Sequence, residues 1–326
     1  MNTFGRIFKI SIFGESHGDS VGIIIDGCPP GISLNITDFS EDLDRRKSGA
    51  KGTTRRLEQD IPLIISGVFN GHTTGAPVSI IFKNENAVSS DYNSIKDIPR
   101  PGHADFVASK KFFGFNDLRG GGHFSGRLTL PITAAGVIAK KIISPAKIKA
   151  KILEIGGSEN FGEAIDIAVQ NSDSVGGILE CRTTDLPVGL GEPFFDSVES
   201  VISHLVFSIP SVKAIEFGMG FESSRRYGSE VNDAIADQTG KTLSNNSGGI
   251  NGGITNGNEL VFRIAVKPAS SIGKTQFTFN FSSRTEDQLN IMGRHDACIA
   301  LRVPPILEAI TAIALADLIL INKTLI

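Results

Sequence analysis

Runs of β-forming residues in this chain come in neighbouring pairs joined by glycine-rich turns, and that pairing constrains the fold more than any other feature. Arg6–Phe13 reads as a strand, GESHGDS as a turn, and Val21–Asp26 as a second apolar run of β character. Further strands are predicted at Ile61–Phe69, Val78–Phe82, Val175–Thr184, Val212–Phe217, Glu259–Val266 and Gln276–Phe281. Asn35 or Thr37 can cap a helix carrying Ile36, Phe39 and Leu43. Helical spacing recurs over Ala104–Phe113, Leu128–Ile143, Ser197–Ile209 and Ala297–Ile321. Strands and helices do not alternate one for one, which argues against a doubly wound parallel sheet. The expectation is an α+β fold, antiparallel sheets with helices packed against them. No Pro- or Ser-rich linker and no repeat divides the chain, so a single domain over 1–326 is predicted.

Composition narrows the function. Apolar residues at 40% and charged residues at 21% rule out a disordered chain, a collagen and a membrane bundle. The net charge of −3 argues against a generally basic nucleic-acid binder. Glycine is in surplus, 36 residues where average usage gives about 23. Such a surplus implies special turns or close backbone approaches to a bound molecule. Cys28, Cys181 and Cys298 are odd in number and lack CxxC spacing, as expected of reduced thiols in a cytoplasmic protein. The N-terminus shows no signal-peptide pattern, and the apolar PPILEAITAIALADLILI carries Glu308 and Asp317, as a packed helix would and a membrane span would not.

Three familiar patterns fall short. Gly14-Glu15-Ser16-His17-Gly18 satisfies GxSxG, but a nucleophile elbow needs a helix after it and a strand follows here. Ser270-Ser271-Ile272-Gly273-Lys274-Thr275 ends like a P-loop, yet Pro268 stands where the motif needs glycine. No GxGxxG is complete, and no HExxH, CxxC or carboxylate-rich loop points to a metal.

What remains is a recurring neighbourhood of histidine or arginine beside glycine or proline. His17, His72, His103 and His123 each touch a glycine, and arginines share the settings RPGHAD (100–105), RGGGH (119–123) and GRHD (293–296). Glycine lets backbone approach a ligand, Arg forks onto carboxylates or phosphates, and imidazole moves protons near neutral pH. Several such turns in a nearly neutral chain predict one cationic pocket for a polyanionic small molecule. Arg45, Arg46, Lys47, Lys51, Arg55 and Arg56 add a charge run. Alone it would read as a solvated face, but at a helix end and in a Gly/Thr-rich loop it suits a lid closing over an anion.

The residues resemble one family along nearly the whole chain. FGESHG, IDGCPPG, LDRR, IISGVFNGHTTGAPV, DYNSIKDIPRPGHAD, LRGGG, AAGVIAKK, GLGEPFFDSV, SNNSGGINGGITNG, KPASSI and GRHDACIALRVPPILEAI match, in this order, the chorismate synthases. The resemblance implies helices between antiparallel sheets, a homotetramer, and a lyase reaction. That reaction is 1,4-anti elimination of phosphate from 5-enolpyruvylshikimate 3-phosphate to give chorismate, with reduced FMN required and no net redox change. NADPH would enter only indirectly, to reduce the flavin, with a separate flavin reductase as a possible partner. Nucleic acid and membrane are not expected partners.

By position, the resemblance makes His17 the holder of a proton near the reduced flavin, His103 the partner of the departing phosphate, and Asp296 part of a proton relay at flavin N5. Arg46, Lys51, Arg100, Arg127 and Arg294 would bind anionic groups of the substrate. His123, Phe124, Ser125, Pro210, Ser211, Gly252, Lys267, Pro268, Ala269, Ser270, Ser271 and Arg294 would hold the flavin. Three departures stand out. The usual RGGGRSSARET is RGGGHFSGRLT here, so His123 and Phe124 replace an arginine and a serine. The usual RRRPGTSR is RRKSGAKG, and Ala297 takes a usual proline position. Two rival readings are a flavin oxidoreductase with net electron transfer and a non-catalytic anion or nucleic-acid binder using residues 45–56.

Overall fold

A computed structural model describes residues 2–54, 56, 58–86, 97–291 and 295–325. The first predicted strand pair forms a hairpin: Lys9–Gly14 runs antiparallel to Ser20–Asp26, with Gly14 opposite Val21. Gly14 has φ +96°, and a Cβ there would stand 2.3 Å from the Ser20 carbonyl, so the turn requires glycine. Ser16 therefore sits in a strand–turn–strand, not on an elbow.

Among the described residues two large antiparallel sheets form, beside three two-stranded ones. The first has the order Thr3–Phe4, Lys9–Gly14, Ser20–Asp26, Val78–Lys83, Leu63–Ser66. The second has the order Val212–Phe217, Leu260–Val266, Gly177–Thr184, Lys147–Ile155. Between them lie two helices. Thr129–Ile142 packs on the first sheet, Val303–Leu325 packs on the second, and the helices pack on each other. Every residue from Thr129 to Ala139 is buried, as expected of a helix enclosed on all sides. The expected α+β sandwich of central helices between antiparallel sheets is what forms.

The C-terminal helix is long and apolar enough to cross a membrane, but 78% of its apolar window is buried inside the protein. Its two acids explain themselves. Asp317 accepts the backbone N–H groups of Arg6, Ile7 and Phe8, at 2.7 Å from Ile7, and so pins the N-terminal strand region. Glu308 takes a bidentate bond from Arg45, a bond from Lys140 and the N–H of Ala150. Burial opposes its ionisation, but Arg45 and Lys140 outweigh that and hold its carboxyl below the ordinary range. The three cysteines are buried and unpaired, and burial pushes the Cys181 thiol up to about 12.

Several boundaries differ from expectation. The Ile61–Phe69 run breaks at Gly67, φ +82°, into Leu63–Ser66 and Val68–Phe69, which pairs with His72–Thr73. The capped segment after Asn35 starts as a 3-10 turn, Ile36–Phe39, and becomes α-helix only at Ser40–Arg46. The predicted Ala297–Ile321 helix begins with a 3-10 turn, Ile299–Arg302, and is α-helical from Val303 to Leu325. Strands Lys147–Ile155 and Thr285–Leu289 and helix Phe161–Gln170 were not expected. For the first, the signal was present: Lys147, Lys149 and Lys151 alternate with Ile148, Ala150 and Ile152.

Candidate active site

The glycine-rich turns meet around one cavity of about 610 Å³. Three of its segments come from far apart in the chain: the Arg100–Asp105 turn, the Arg119–Ser125 run and the loop after Leu260–Val266. Gly120, Gly121 and Gly122 all have positive φ, and the run folds into a tight loop only because they lack side chains. A Cβ on Gly120 would stand 2.4 Å from the His17 ring; a Cβ on Gly122 would stand 2.1 Å from the Asp117 carbonyl. His17 thus packs directly behind the glycine run.

In the Arg100–Asp105 turn, Asp105 sits at the start of helix Asp105–Lys111. Arg100 forks onto it, Nε to Oδ2 and Nη2 to Oδ1, both at 2.7 Å, and its Nη1 donates to Ser271 Oγ at 2.8 Å. His103 Nδ1 lies 2.6 Å from Asp105 Oδ1. Burial opposes ionisation of Asp105, but the bonds from Arg100 and His103 outweigh it and hold the carboxyl far below the ordinary range. Lys267 donates to Ser270 Oγ at 2.6 Å, and Ser270 in turn donates to the Gly102 carbonyl at 2.8 Å. The 267–271 loop is thereby latched to the histidine turn.

The opposite wall is ionic. Arg46, 1% exposed, donates to Thr129 Oγ1, to Asp60 and to the carbonyls of Gly126 and Arg127. Arg127 donates to Asn84 and the Lys83 carbonyl as well as to Asp60. Arg56 grips Ser16 through Oγ at 3.0 Å and the carbonyl at 3.1 Å, and pairs with Glu58. Asp296 accepts the Thr54 N–H at 2.8 Å and pairs with Arg302. Arg46, Lys47, Arg56, Arg100, Arg127, Lys267 and Arg302 line the cavity, against the carboxylates of Glu58, Asp60 and Asp296. The cavity is cationic inside a chain whose net charge is −3.

Most expected residues converge. His103, Asp296, Arg46, Arg100, Arg127, His123, Phe124, Ser125, Pro210, Ser211, Lys267, Ala269, Ser270 and Ser271 line the cavity, and His17 backs it through Gly120. Others do not. Lys51 pairs with Asp166 on helix Phe161–Gln170 with most of its side chain in solvent and does not line this cavity. Gly252 turns the Ile250–Asn251/Ile254–Thr255 hairpin away from the cavity lining, and Pro268 packs against Gly176. Arg294 lies outside the described residues. His123 lines the cavity, but its ring nitrogens meet the Gly14 carbonyl at 2.8 Å and Asn2 Oδ1 at 3.1 Å. The expected lid loop is tied across the wall by Thr54 to Asp296 and by the Cys298 N–H to the Gly52 carbonyl.

Sequence reasoning missed Glu58, Asp60, Asp105 and Arg302 as site residues. Asp105 had a local signal, a carboxylate two residues from His103. Asp60 had none, because its partners lie 14 and 67 positions away.

Fold and cavity together define an α+β protein whose cationic cavity suits a small polyanion beside a histidine–carboxylate pair. The family model for chorismate synthase matches residues 8–320. A chorismate synthase of Chitinophaga pinensis is 59% identical over 99% of this chain and 98% of its own length. One of Pyrococcus abyssi is 42% identical over 98% of each chain. A chorismate synthase crystal structure superposes with a TM-score of 0.75 at 25% identity, covering 98% of this chain and 93% of the other. The chain belongs to the chorismate synthase family, whose members are carbon–oxygen lyases acting on phosphates.

Proposed function

We propose that this cavity converts 5-enolpyruvylshikimate 3-phosphate to chorismate and phosphate by 1,4-anti elimination, with reduced FMN as cofactor. The observation that carries the reading is the convergence of His103, Arg100, Arg127 and the 267–271 loop on one cationic cavity in a chain of this family. The substrate has two carboxylates and a phosphate, which suits a wall where Lys and Arg outnumber carboxylates. In the reaction the C–O bond to phosphate breaks, a ring proton leaves, and no net oxidation occurs.

The residues also fit a flavin mononucleotide. Ile12, Ile132, Ile299 and Ile306 give the cavity an apolar wall for a planar ring, Phe124 is partly exposed beside it, and Lys267 and Ser270 supply donors for a phosphate. When bound, reduced flavin supplies electron density while the phosphate departs. His103, beside Arg100, receives the departing phosphate as acid and hydrogen-bond partner. Arg127 and Arg56 orient substrate anions, Asp296 would help relay the proton at the flavin, and His17 holds a proton behind the glycine run. The same reading takes in NADPH only for flavin reduction, a separate reductase, a cytoplasmic setting and a homotetramer. Exposed Phe194 and Phe195 offer apolar surface for subunit contact.

Anaerobic incubation with substrate and chemically reduced FMN tests the reading. Phosphate release with the flavin still reduced supports it. Stoichiometric flavin oxidation would instead mark an oxidoreductase, and silence a binding protein. His103→Ala is expected to lose at least the ~10²-fold typical of acid–base catalysis while the fold persists.

A further inference from the structure

We propose that Asp105 is a positioning residue for the elimination: it keeps a proton on His103 Nδ1 in both charge states of the ring, so that Nε2 is the nitrogen that gives its proton to the substrate. The inference rests on the reading of His103 given above. The 2.6 Å contact between Nδ1 and Asp105 Oδ1 requires a proton between them, because an ionised carboxylate only accepts. Arg100 Nη2 is 3.0 Å from the same Nδ1, but both groups donate to Asp105 Oδ1, so this contact is a consequence of shared attachment and not a competing bond. The ring lines the cavity, and its Nε2 edge faces Gly121, where a Cβ would come into ordinary contact at 3.8 Å.

The carboxylate is itself immobile. Asp105 is 6% exposed and accepts from the Arg100 side chain at both oxygens and from the Arg100 backbone N–H at 3.1 Å. Arg100 is held in turn by Ser271, and Gly102 between them by Ser270. Other charges around the ring are Lys267, whose ammonium reaches the Gly102 carbonyl at 3.4 Å, and the His17 side, across the glycine run. An ammonium cannot accept, and the glycine run separates His17 from the ring, so orientation of His103 falls to Asp105. A carboxylate that orients an imidazole without touching the reacting atoms is a recurrent device in acid–base catalysis.

Nitrogen NMR of the full chain labelled at histidine, with His103→Ala to assign the resonance, reads the tautomer directly. The expected result is an Nδ1 that stays protonated in the unliganded wild-type protein, with Nε2 protonated when the ring is charged and pyridine-type when it is neutral; a neutral ring with its proton on Nε2 would overturn the proposal whether or not any variant folds. Steady-state kinetics of Asp105→Asn should show kcat lower by about 10²-fold or more with KM nearly unchanged, since substrate anions are held elsewhere. Asp105→Glu should recover part of that loss. An Asp105→Asn enzyme with normal kcat, or one altered only in KM, would sink the positioning role. Should His103→Ala turn over normally, the reading of the site fails, while the tautomer measurement still decides what Asp105 does to the ring.

Discussion

Asp60 Oδ1 lies 2.5 Å from Arg127 Nη1, and its other oxygen reaches Arg46 Nη1 at 3.5 Å. One buried carboxylate thus stands between two buried guanidinium groups and leaves them with an excess of positive charge. Burial, then repulsion from Arg302, pushes Arg46 down to about 9, still protonated at neutral pH.

Replacing Asp60 with Asn keeps the shape and removes the counter-ion. Asp60 has φ +55°, a conformation Asn accepts readily, so the backbone should not object. The variant should lose about 3 kcal/mol, the cost of stripping a partner from a buried ion pair. Inorganic phosphate should then raise Tm more in the variant than in wild type, because an anion in the cavity replaces the lost charge. Thermal melts with and without phosphate check this; equal shifts in both proteins would separate Asp60 from the anion site.

Gly120→Ala should damage turnover more than stability. Its added methyl meets His17 Cδ2 at 2.4 Å and Ser16 Oγ at 2.9 Å, at φ +60°. The backbone strain is worth about 1–2 kcal/mol, but the displaced His17 ring should cost at least ~10-fold in kcat. Kinetics beside a urea melt separates the two effects.

Gly136→Ala probes the centre of the sandwich. A Cβ there would sit 2.3 Å from Ala309 Cβ and 2.5 Å from its Cα, so the two central helices must move apart. A methyl that raises helix propensity should here destabilise the protein by roughly 1–3 kcal/mol. A rise in the urea midpoint would show that the helices can separate freely.

Asp105 also sets an acid limb. Its folded carboxyl titrates far below the ordinary range, since bonds from Arg100 and His103 outweigh burial. On acidification the unfolded chain takes up this proton first, near about pH 4. The stability contributed is therefore complete above that pH and is lost as pH falls toward the folded value. Urea melts at stepped pH should show wild-type stability falling below about pH 4, and Asp105→Asn should flatten that slope.

The sequence by itself determined the antiparallel pairing, the family, and the turns that carry His17, His103 and the 120–122 glycines. Those features are local: a strand's period, a glycine's access to positive φ and a cap such as Asn35 are settled within a few residues. Tertiary structure alone decided who partners whom. Lys51 belonged to the expected anion site by resemblance, yet it closes on Asp166 across the surface. His123 took its expected place in the lining, yet its ring went to the Gly14 carbonyl and Asn2, more than a hundred positions away. Asp60 became a floor ion between arginines that no local pattern linked to it. Ion pairs and hydrogen bonds of this kind are short-ranged in space but unrestricted in sequence, so only the packing of the two helices between their sheets could choose them.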